Sequence, residues 1–585
     1  MAKKKKKKKK IKNKGRFIAF IVICLSLIGF CASVIILRGI NSRPVEYAKS
    51  EGWISSDGSL IQLYHGEESV EKNIFGKVTK REVTFTDDIS VPRGTAVTLI
   101  DYPERDENGD VLYERISIGD TVYFLSPGHV VNEYSNVITE TEKYVRTPVT
   151  VYETADAPDV AGLIKKGNRV DITGFDGIDA EGKVNMYKVS CNGIEGYVFS
   201  KYLVDTQEAA DAKYDQQVTA NGNTYSLIEY HSDIDYLYLY GGSGENLDYY
   251  PVDKPRFEDN PFQEDARTMY LNIATIWNID EYINCALTYG VNAVCIDIFD
   301  AVLSYPADTA KELAPTVYNN ANSDYAAFEY AVKRAKEAGL YTIGRIVCFK
   351  NDAYAADHPE DCIDYYGTDW PSIYSRNAWE YNVKLAIESV RKFGFNEIQF
   401  DYVRFPENAY RMSASGVADF KNKYNEEKCD TVQGFLIYAC DMLHREGVYV
   451  SVDVFGESSF GYMPAYGQYW PAISNVVDAI SGMPYLDHFE TDIPSRWEDP
   501  YTTVYNWAYG ANKLQGTIPT PAVARTWITG WDTPYWGAYV TCDANYIARQ
   551  AQGLWDAGLT GGFLTWGTCQ LWRYQSFSWA WANRY

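Results

Sequence analysis

The stretch Glu397-Ile-Gln-Phe-Asp401-Tyr-Val-Arg404-Phe-Pro406 decides how this chain is read. A short apolar strand, 397–400, runs straight into an acid, and an arginine and a proline follow. A strand that delivers a carboxylate at its carboxyl end, inside an alternating strand and helix pattern, is how parallel barrels place catalytic groups. Outward from it, one grammar repeats over 263–585. Eight apolar runs read as strands: 268–276, 291–299, 341–349, 397–403, 448–455, 478–484, 521–528 and 561–566. Amphipathic segments such as 326–339, 381–390, 435–446 and 546–557 lie between them. Gly290, Gly339, Gly394, Gly447 and Gly558 each close such a segment, where a left-handed cap ends a helix before the next strand. Helix, glycine, strand, repeated this way, predicts an all-parallel sheet with crossover helices. The count of eight favours a closed (β/α)8 TIM barrel over a doubly wound sheet. No GxGxxG follows the first strand, which lowers a dinucleotide-binding reading further.

The other end of the chain speaks of a membrane. Residues 3–10 are eight consecutive lysines, and Lys12, Lys14 and Arg16 follow. The next 21 residues, 17–37, carry no charge, enough at about 1.5 Å per residue to span a hydrocarbon core of roughly 30 Å. A secretory signal peptide would have a shorter apolar region ending in a small-residue cleavage site. Here the run continues past Ala32-Ser33 to Leu37, so an uncleaved anchor is the expectation. Cationic flanks stay on the cytoplasmic side, which puts the remainder outside; the expected location is the cell membrane of a bacterium of Gram-positive type. The formal charge is −23, and the first 16 residues carry eleven cations, leaving −34 for the rest. A surface that acidic does not seek nucleic acid or anionic headgroups and is compatible with glycans.

The expected organisation is a polybasic tail (1–16), a transmembrane helix (17–37), a polar stalk (38–74), a divergent β module (75–140), a second β module (141–205), a linker (206–262) and the barrel (263–585). The β modules show short strand-type runs split by Gly, Asp and Asn. Eleven cysteines, two of them in the span, form no CxxC pair and no zinc-spaced cluster, so they read as small buried hydrophobes. No cofactor or metal is expected. Of six histidines only His358 and His488 fall near the barrel mouth, thin support for a metal-dependent deacetylase.

Inward positions alternate with outward ones along barrel strands. Strand four then offers Asp401, strand five offers Asp453 and, in phase if the strand persists past Gly456, Glu457. Strand two offers Asp297 with Asp300 just beyond, and strand three supplies Arg345. An aspartate within an apolar strand is costly to bury unless paired, and Arg345 and Arg404 are natural partners. For each acid a structural ion pair is the bland alternative to catalysis. Glycoside cleavage uses two carboxyl groups flanking a sugar bond, roughly 5–5.5 Å apart for retention and 6.5–9.5 Å for inversion. Neighbouring strands lie about 4.8 Å apart, so acids ending strands four and five suit the shorter spacing. Aromatics make up 15% of the chain, and the loop cluster from Trp531 to Trp536 reads as a sugar-stacking platform.

Two resemblances sharpen this. The segment from Lys143-Tyr-Val-Arg-Thr through Ile164-Lys-Lys-Gly167 to Gly196-Tyr-Val-Phe-Ser-Lys-Tyr-Leu203 resembles bacterial SH3-like domains, which implies a hold on wall peptides, although a plain spacer accounts for it equally well. Residues 267–575 resemble an uncharacterised glycoside hydrolase family of bacterial surface proteins within the glycosidase TIM-barrel clan. The motifs are Val291-Asn-Ala-Val-Cys-Ile-Asp297, Gly344-Arg-Ile-Val-Cys-Phe-Lys-Asn-Asp352, Trp379-Glu-Tyr-Asn382, the 397–406 stretch, Val450-Ser-Val-Asp-Val-Phe-Gly456, Met483-Pro-Tyr485 with His488, and Leu564-Thr-Trp566. The likeness implies Asp401 as nucleophile, leaves Asp453 and Glu457 both open as the acid, and gives Asp297, Arg345, Arg404, Tyr485, His488, Trp531 and Trp566 to substrate or charge tuning. The chain departs from the family at Trp527-Ile-Thr-Gly530, where a Gln-Asp pair is usual after the tryptophan, and at strand two, which lacks the usual lysine. The expectation is a membrane-anchored extracellular glycoside hydrolase acting on a cell-wall or extracellular polysaccharide. The alternative is a catalytically inactive glycan-binding scaffold in envelope assembly.

Overall fold

The computed structural model describes residues 13–574 apart from 44–45, 102–107, 109, 221, 233–238, 324, 368, 489–493, 536–537 and 568–569. The lysine run 3–10 and Trp536 lie outside the described residues. The chain divides into two compact units, residues 1–141 with 172–188, and residues 142–171 with 189–585.

In the first unit, helix Lys14–Asn41 is long and apolar enough to cross a membrane, and none of its side chains is buried by protein. A seven-stranded antiparallel sheet follows, in the order Val78–Pro92, Leu60–Lys72, Thr121–Leu125, Glu114–Ile118, Ala96–Ile100, Lys49–Ile54, Val130–Val131. Two of these strands fall within the span expected as a stalk, 38–74. Ile54 and Leu63 there are fully buried beside Val91, Val97, Ile116 and Leu125, and burying those apolar side chains is what turns the polar-looking segment into sheet. Arg93 is buried against Glu140 at 2.6 Å, and the Tyr187 hydroxyl donates to the same carboxylate at 2.9 Å.

The second unit opens with short antiparallel strands: Val149–Tyr152 pairs with Val160–Ile164 and Ile194–Phe199, and Glu142–Val145 pairs with Leu203–Val204. These strands are fastened to the outer helices of the barrel. Tyr202 and Lys201 donate to Asp441 at 3.0 and 2.6 Å, Lys384 pairs with Asp159 at 2.6 Å, and the rings of Tyr152 and Tyr438 stack.

The barrel strands are β1 (Ala266–Leu271), β2 (Ala293–Asp300), β3 (Tyr341–Val347), β4 (Glu397–Asp401), β5 (Tyr449–Phe455), β6 (Ala479–Met483), β7 (Val523–Ala524), β8 (Thr526–Thr529) and β9 (Gly562–Trp566). All pair in parallel in the order β7-β6-β5-β4-β3-β2-β1-β9-β8. β7 and β8 are the two halves of the seventh expected run, interrupted at Arg525. One half pairs with β6 and the other with β9, so the path returns on itself as a TIM-type near-barrel. The strands point the same way because crossover helices join successive strands, apart from β7 and β8, which Arg525 alone separates. Helices such as Ile279–Tyr289 and Arg376–Phe393 end on Gly290 and Gly394 in the left-handed conformation that glycine adopts without penalty.

Register sets the inward layers: Asp297 lies opposite Arg345, Arg345 opposite Gln399, and Gln399 opposite Ser451. At the amino end Glu397 and Arg525 form an ion pair at 2.7 Å, both with no exposed side-chain surface, and the Tyr341 hydroxyl donates to Glu397 at 3.0 Å. In the middle Gln399 donates to Ser481 at 3.1 Å and accepts from Cys295 at 3.4 Å. The carboxyl end holds the acids.

Candidate active site

Arg345, on β3, is the hub of that end. Its guanidinium meets Asp401 at 2.5 Å, Asp297 at 2.7 Å, Asp300 at 3.5 Å and Asp453 at 3.5 Å, with only 2% of its side chain exposed. A fork of fixed N–H donors that never deprotonates is suited to holding several carboxylates at once. Arg345, expected to position substrate or tune charge and a natural partner for the strand acids, is buried among four of them. Trp566 lies with its ring 5.2 Å from the guanidinium carbon, and Tyr270 packs at 4.9 Å from that ring.

The four acids differ in access. Asp453 has no exposed surface. Its Oδ1 accepts from Trp527 Nε1 at 2.6 Å. Burial pushes its carboxyl well above the usual range and Asp401 beside it pushes the same way, while Arg345 and Trp527 pull back. The expectation that Asp453 faces a groove is therefore corrected: a mid-strand inward side chain sits below the rim, under Tyr485 and Trp527. Asp297 is likewise sealed, taking a hydrogen bond from the Tyr270 hydroxyl at 2.5 Å and from Arg345, and burial raises it to about 6. It too is a partner of Arg345 rather than a substrate contact. Asp401 keeps 7% of its side chain exposed and takes a second hydrogen bond from the backbone N–H of Tyr402 at 2.6 Å. Asp300, 39% exposed, stands at the rim.

Local backbone explains the rim. The β2–β3 register shifts between Asp297 and Phe299, a bulge that re-aims Asp300. Ala301 and Tyr402, the residues after Asp300 and Asp401, have φ of 56° and 55°, a left-handed conformation that costs a non-glycine residue on the order of 1–2 kcal/mol. Such strain gathers where side chains are held for function.

Glu457 is not in phase with Asp453. β5 ends at Phe455 because Gly456 passes close to Pro484, where an added Cβ would lie 3.0 Å from the Pro484 Cα, and a short 3-10 turn follows. Half-buried Glu457 accepts from the hydroxyls of Tyr462 at 2.7 Å and Tyr466 at 2.5 Å. Arg404 does not pair with Asp401 either. It is buried, donates to Glu407 at 2.7 Å and to the Phe405 carbonyl at 3.0 Å, and lies against the rings of Tyr402 and Phe455. Tyr485 is buried, with its ring 5.1 Å from Trp531 and 5.4 Å from His488. Half-exposed His488 bonds to Asp487 at 2.9 Å, which raises its pKa. Tyr270 and Trp527 are members the motif reading missed. Both occupy inward positions in phase with their strands, and that parity was the available signal.

Two groups away from these acids have metal-ligand composition, His358 with Glu360 and Asp361, and Glu427 with Cys429 and Asp430. Their atoms are engaged otherwise: His358 Nε2 meets the Leu313 carbonyl at 2.5 Å, and Glu427 accepts from the backbone of Ser243 and Gly244 at 2.8 and 3.0 Å.

The chain is similar to several solved structures. A hypothetical protein from Ruminiclostridium thermocellum ATCC 27405 shares 27% identity over 33% of this chain and 99% of that one, with a TM-score of 0.27. The PgaB (BpsB) glycoside hydrolase domain from Bordetella bronchiseptica shares 11% over 55% of this chain and 98% of that one, at 0.40. The spore cortex-lytic enzyme SleL of Bacillus megaterium QM B1551 shares 11% over 54% and 74%, at 0.33. No curated protein matches significantly. Residues 268–571, more than half of the chain, match the family described as "Putative glycosyl hydrolase domain", and the chain belongs to that family.

Proposed function

We propose that the barrel hydrolyses glycosidic bonds in a cell-wall or extracellular polysaccharide, outside a membrane in which helix Lys14–Asn41 anchors the chain with its lysine run on the cytoplasmic side. Family membership supports hydrolysis of a glycan, and the length and apolarity of the helix support the anchor. The observation that carries the site assignment is the gathering of Asp297, Asp401 and Asp453 on one guanidinium, with Asp401 the member of the three that solvent reaches best.

In this reading Asp401 is the nucleophile. Its oxygen attacks the anomeric carbon as the bond to the leaving oxygen breaks, and Glu457, the solvent-accessible member of the strand-five pair, gives that oxygen its proton. Glu457 then takes a proton from the water that releases the sugar from Asp401, restoring both groups. Burial and the neighbouring Asp401 both raise the Asp453 carboxyl, a shift toward its neutral form beside the nucleophile. Trp566, Trp531 and His488 form the wall against which sugar rings stack, with buried Tyr485 packed against Trp531 and His488. Residues 141–205 would hold wall peptide, as the SH3 likeness implies.

The test is release of reducing ends from wall polysaccharide by the full-length protein. Wild type releases them; Asp401→Asn folds, binds glycan and does not. Equal release by the variant refutes the assignment. The slight exposure of Asp401 favours one other reading, a catalytically silent glycan-binding scaffold, which predicts binding without release by wild type as well.

A further inference from the structure

A cavity of about 300 Å³ lies outside the barrel interior, within the second unit, walled by residues 146–147, 166, 213–214, 227–228, 231 and 243–250. Three cations and two acids, Glu245 and Asp248, line it. In a chain of net charge −23, Arg146, Lys166 and Lys213 arrive from three separate stretches of sequence at one concavity. Asp248 answers Arg146 at 3.4 Å. Among the described residues neither lysine has a carboxylate within ion-pair distance, and the Lys166 ammonium donates only to the Ala212 backbone carbonyl, at 3.2 Å. Burial lowers the Lys166 pKa from its ordinary value, with Lys213 and Arg146 pushing the same way against the pull of Asp248 and Asp211.

The remaining walls are aromatic. Arg146 lies 4.0 Å from the centroid of the Tyr250 ring, Tyr214 packs against Tyr250 at 5.4 Å, and Tyr249 stacks on His231 at 4.4 Å. Ring faces beside ammonium groups, in a space of this size, match a sugar ring that carries an acid. Sugar C–H faces pack on aromatic surfaces, and an anion adds to the counter-charge that Asp248 and Glu245 supply to three cations.

We propose that this cavity binds an anionic saccharide unit, its carboxylate or phosphate on Lys166 and Lys213 and its ring against the tyrosines. The site is separate from the barrel chemistry and stands whether or not the barrel cleaves glycans. It would keep the enzyme on an acidic polymer while the mouth works elsewhere along the surface.

Calorimetric titration of the full-length chain in detergent tests this, with glucuronic acid, glucose 6-phosphate and glucose as probes. One or both anionic sugars should bind saturably, glucose at least roughly tenfold more weakly, with affinity falling as salt is raised. The double variant Lys166→Gln/Lys213→Gln should lose roughly tenfold in affinity, and Lys166→Arg/Lys213→Arg should keep it. If the glutamine pair lowers the melting temperature, Lys213→Gln alone, on an exposed side chain, carries the comparison. Which anionic probe binds distinguishes a uronic-acid polymer from a sugar-phosphate polymer. Equal binding of glucose, unchanged affinity in the glutamine variants, or no saturable binding of either anionic sugar overturns the proposal.

Discussion

Asp297→Asn reads the electrostatics of the mouth directly. In the folded chain burial lifts the Asp297 carboxyl from its ordinary 3.8 to about 6, against the pull of Arg345. A carboxyl raised on folding contributes stability that is complete below about pH 4, where it is protonated in both states. That stability is lost between about pH 4 and pH 6 as the unfolded chain gives up its proton first. Two units at 1.36 kcal/mol each make the loss about 3 kcal/mol. Asparagine preserves the shape and the acceptor for the Tyr270 hydroxyl but does not titrate. Removing the pair to Arg345 adds an offset of either sign, but Arg345 stays charged throughout, so that offset does not vary with pH. Urea unfolding followed by tryptophan fluorescence at pH 4 and pH 7 isolates the titration. Relative to wild type, the variant should gain about 3 kcal/mol between the two. Parallel curves, within about 1 kcal/mol, refute the claim that the folded barrel strains this carboxylate.

Three further outcomes follow from the same geometry. Arg525→Met leaves Glu397 charged, without its cation and without solvent contact, and should cost about 3–5 kcal/mol in urea unfolding; Glu397→Leu/Arg525→Met should recover most of it. Tyr402→Gly relieves a left-handed backbone and should stabilise the barrel by about 1 kcal/mol while lowering glycan turnover, a split that a packing role alone would not produce. Glu457→Gln keeps one acceptor oxygen for the Tyr462 and Tyr466 hydroxyls, with its amide N–H able to donate to the other hydroxyl, but cannot move a proton, so kcat for reducing-end release should fall roughly 10²–10⁴-fold with little change in melting temperature.

The barrel was legible in one dimension because its rule is local. A parallel strand buried on both faces must be apolar throughout, a helix against it must be amphipathic, and the turn between them wants a left-handed residue, here Gly290 and Gly394. The same parity put Asp297, Arg345, Asp401 and Asp453 inside the ring. It could not say how deep each lies, because depth comes from the stagger between strands, which raises Asp401 to the rim and leaves Asp453 sealed under it. Nor could it foresee that Arg345 would gather all four acids while Arg404 turned to Glu407. Pairing is decided by whichever partner the packed fold brings within hydrogen-bond reach. Glu457 shows the limit most plainly: period-two counting holds only while a strand continues, and the close pass of Gly456 to Pro484 ends this one. Residue type and order thus determined the ring, its apolar walls and the acids inside it. Only the closed tertiary structure decided which of those acids meets solvent, since exposure depends on neighbours that are remote in sequence.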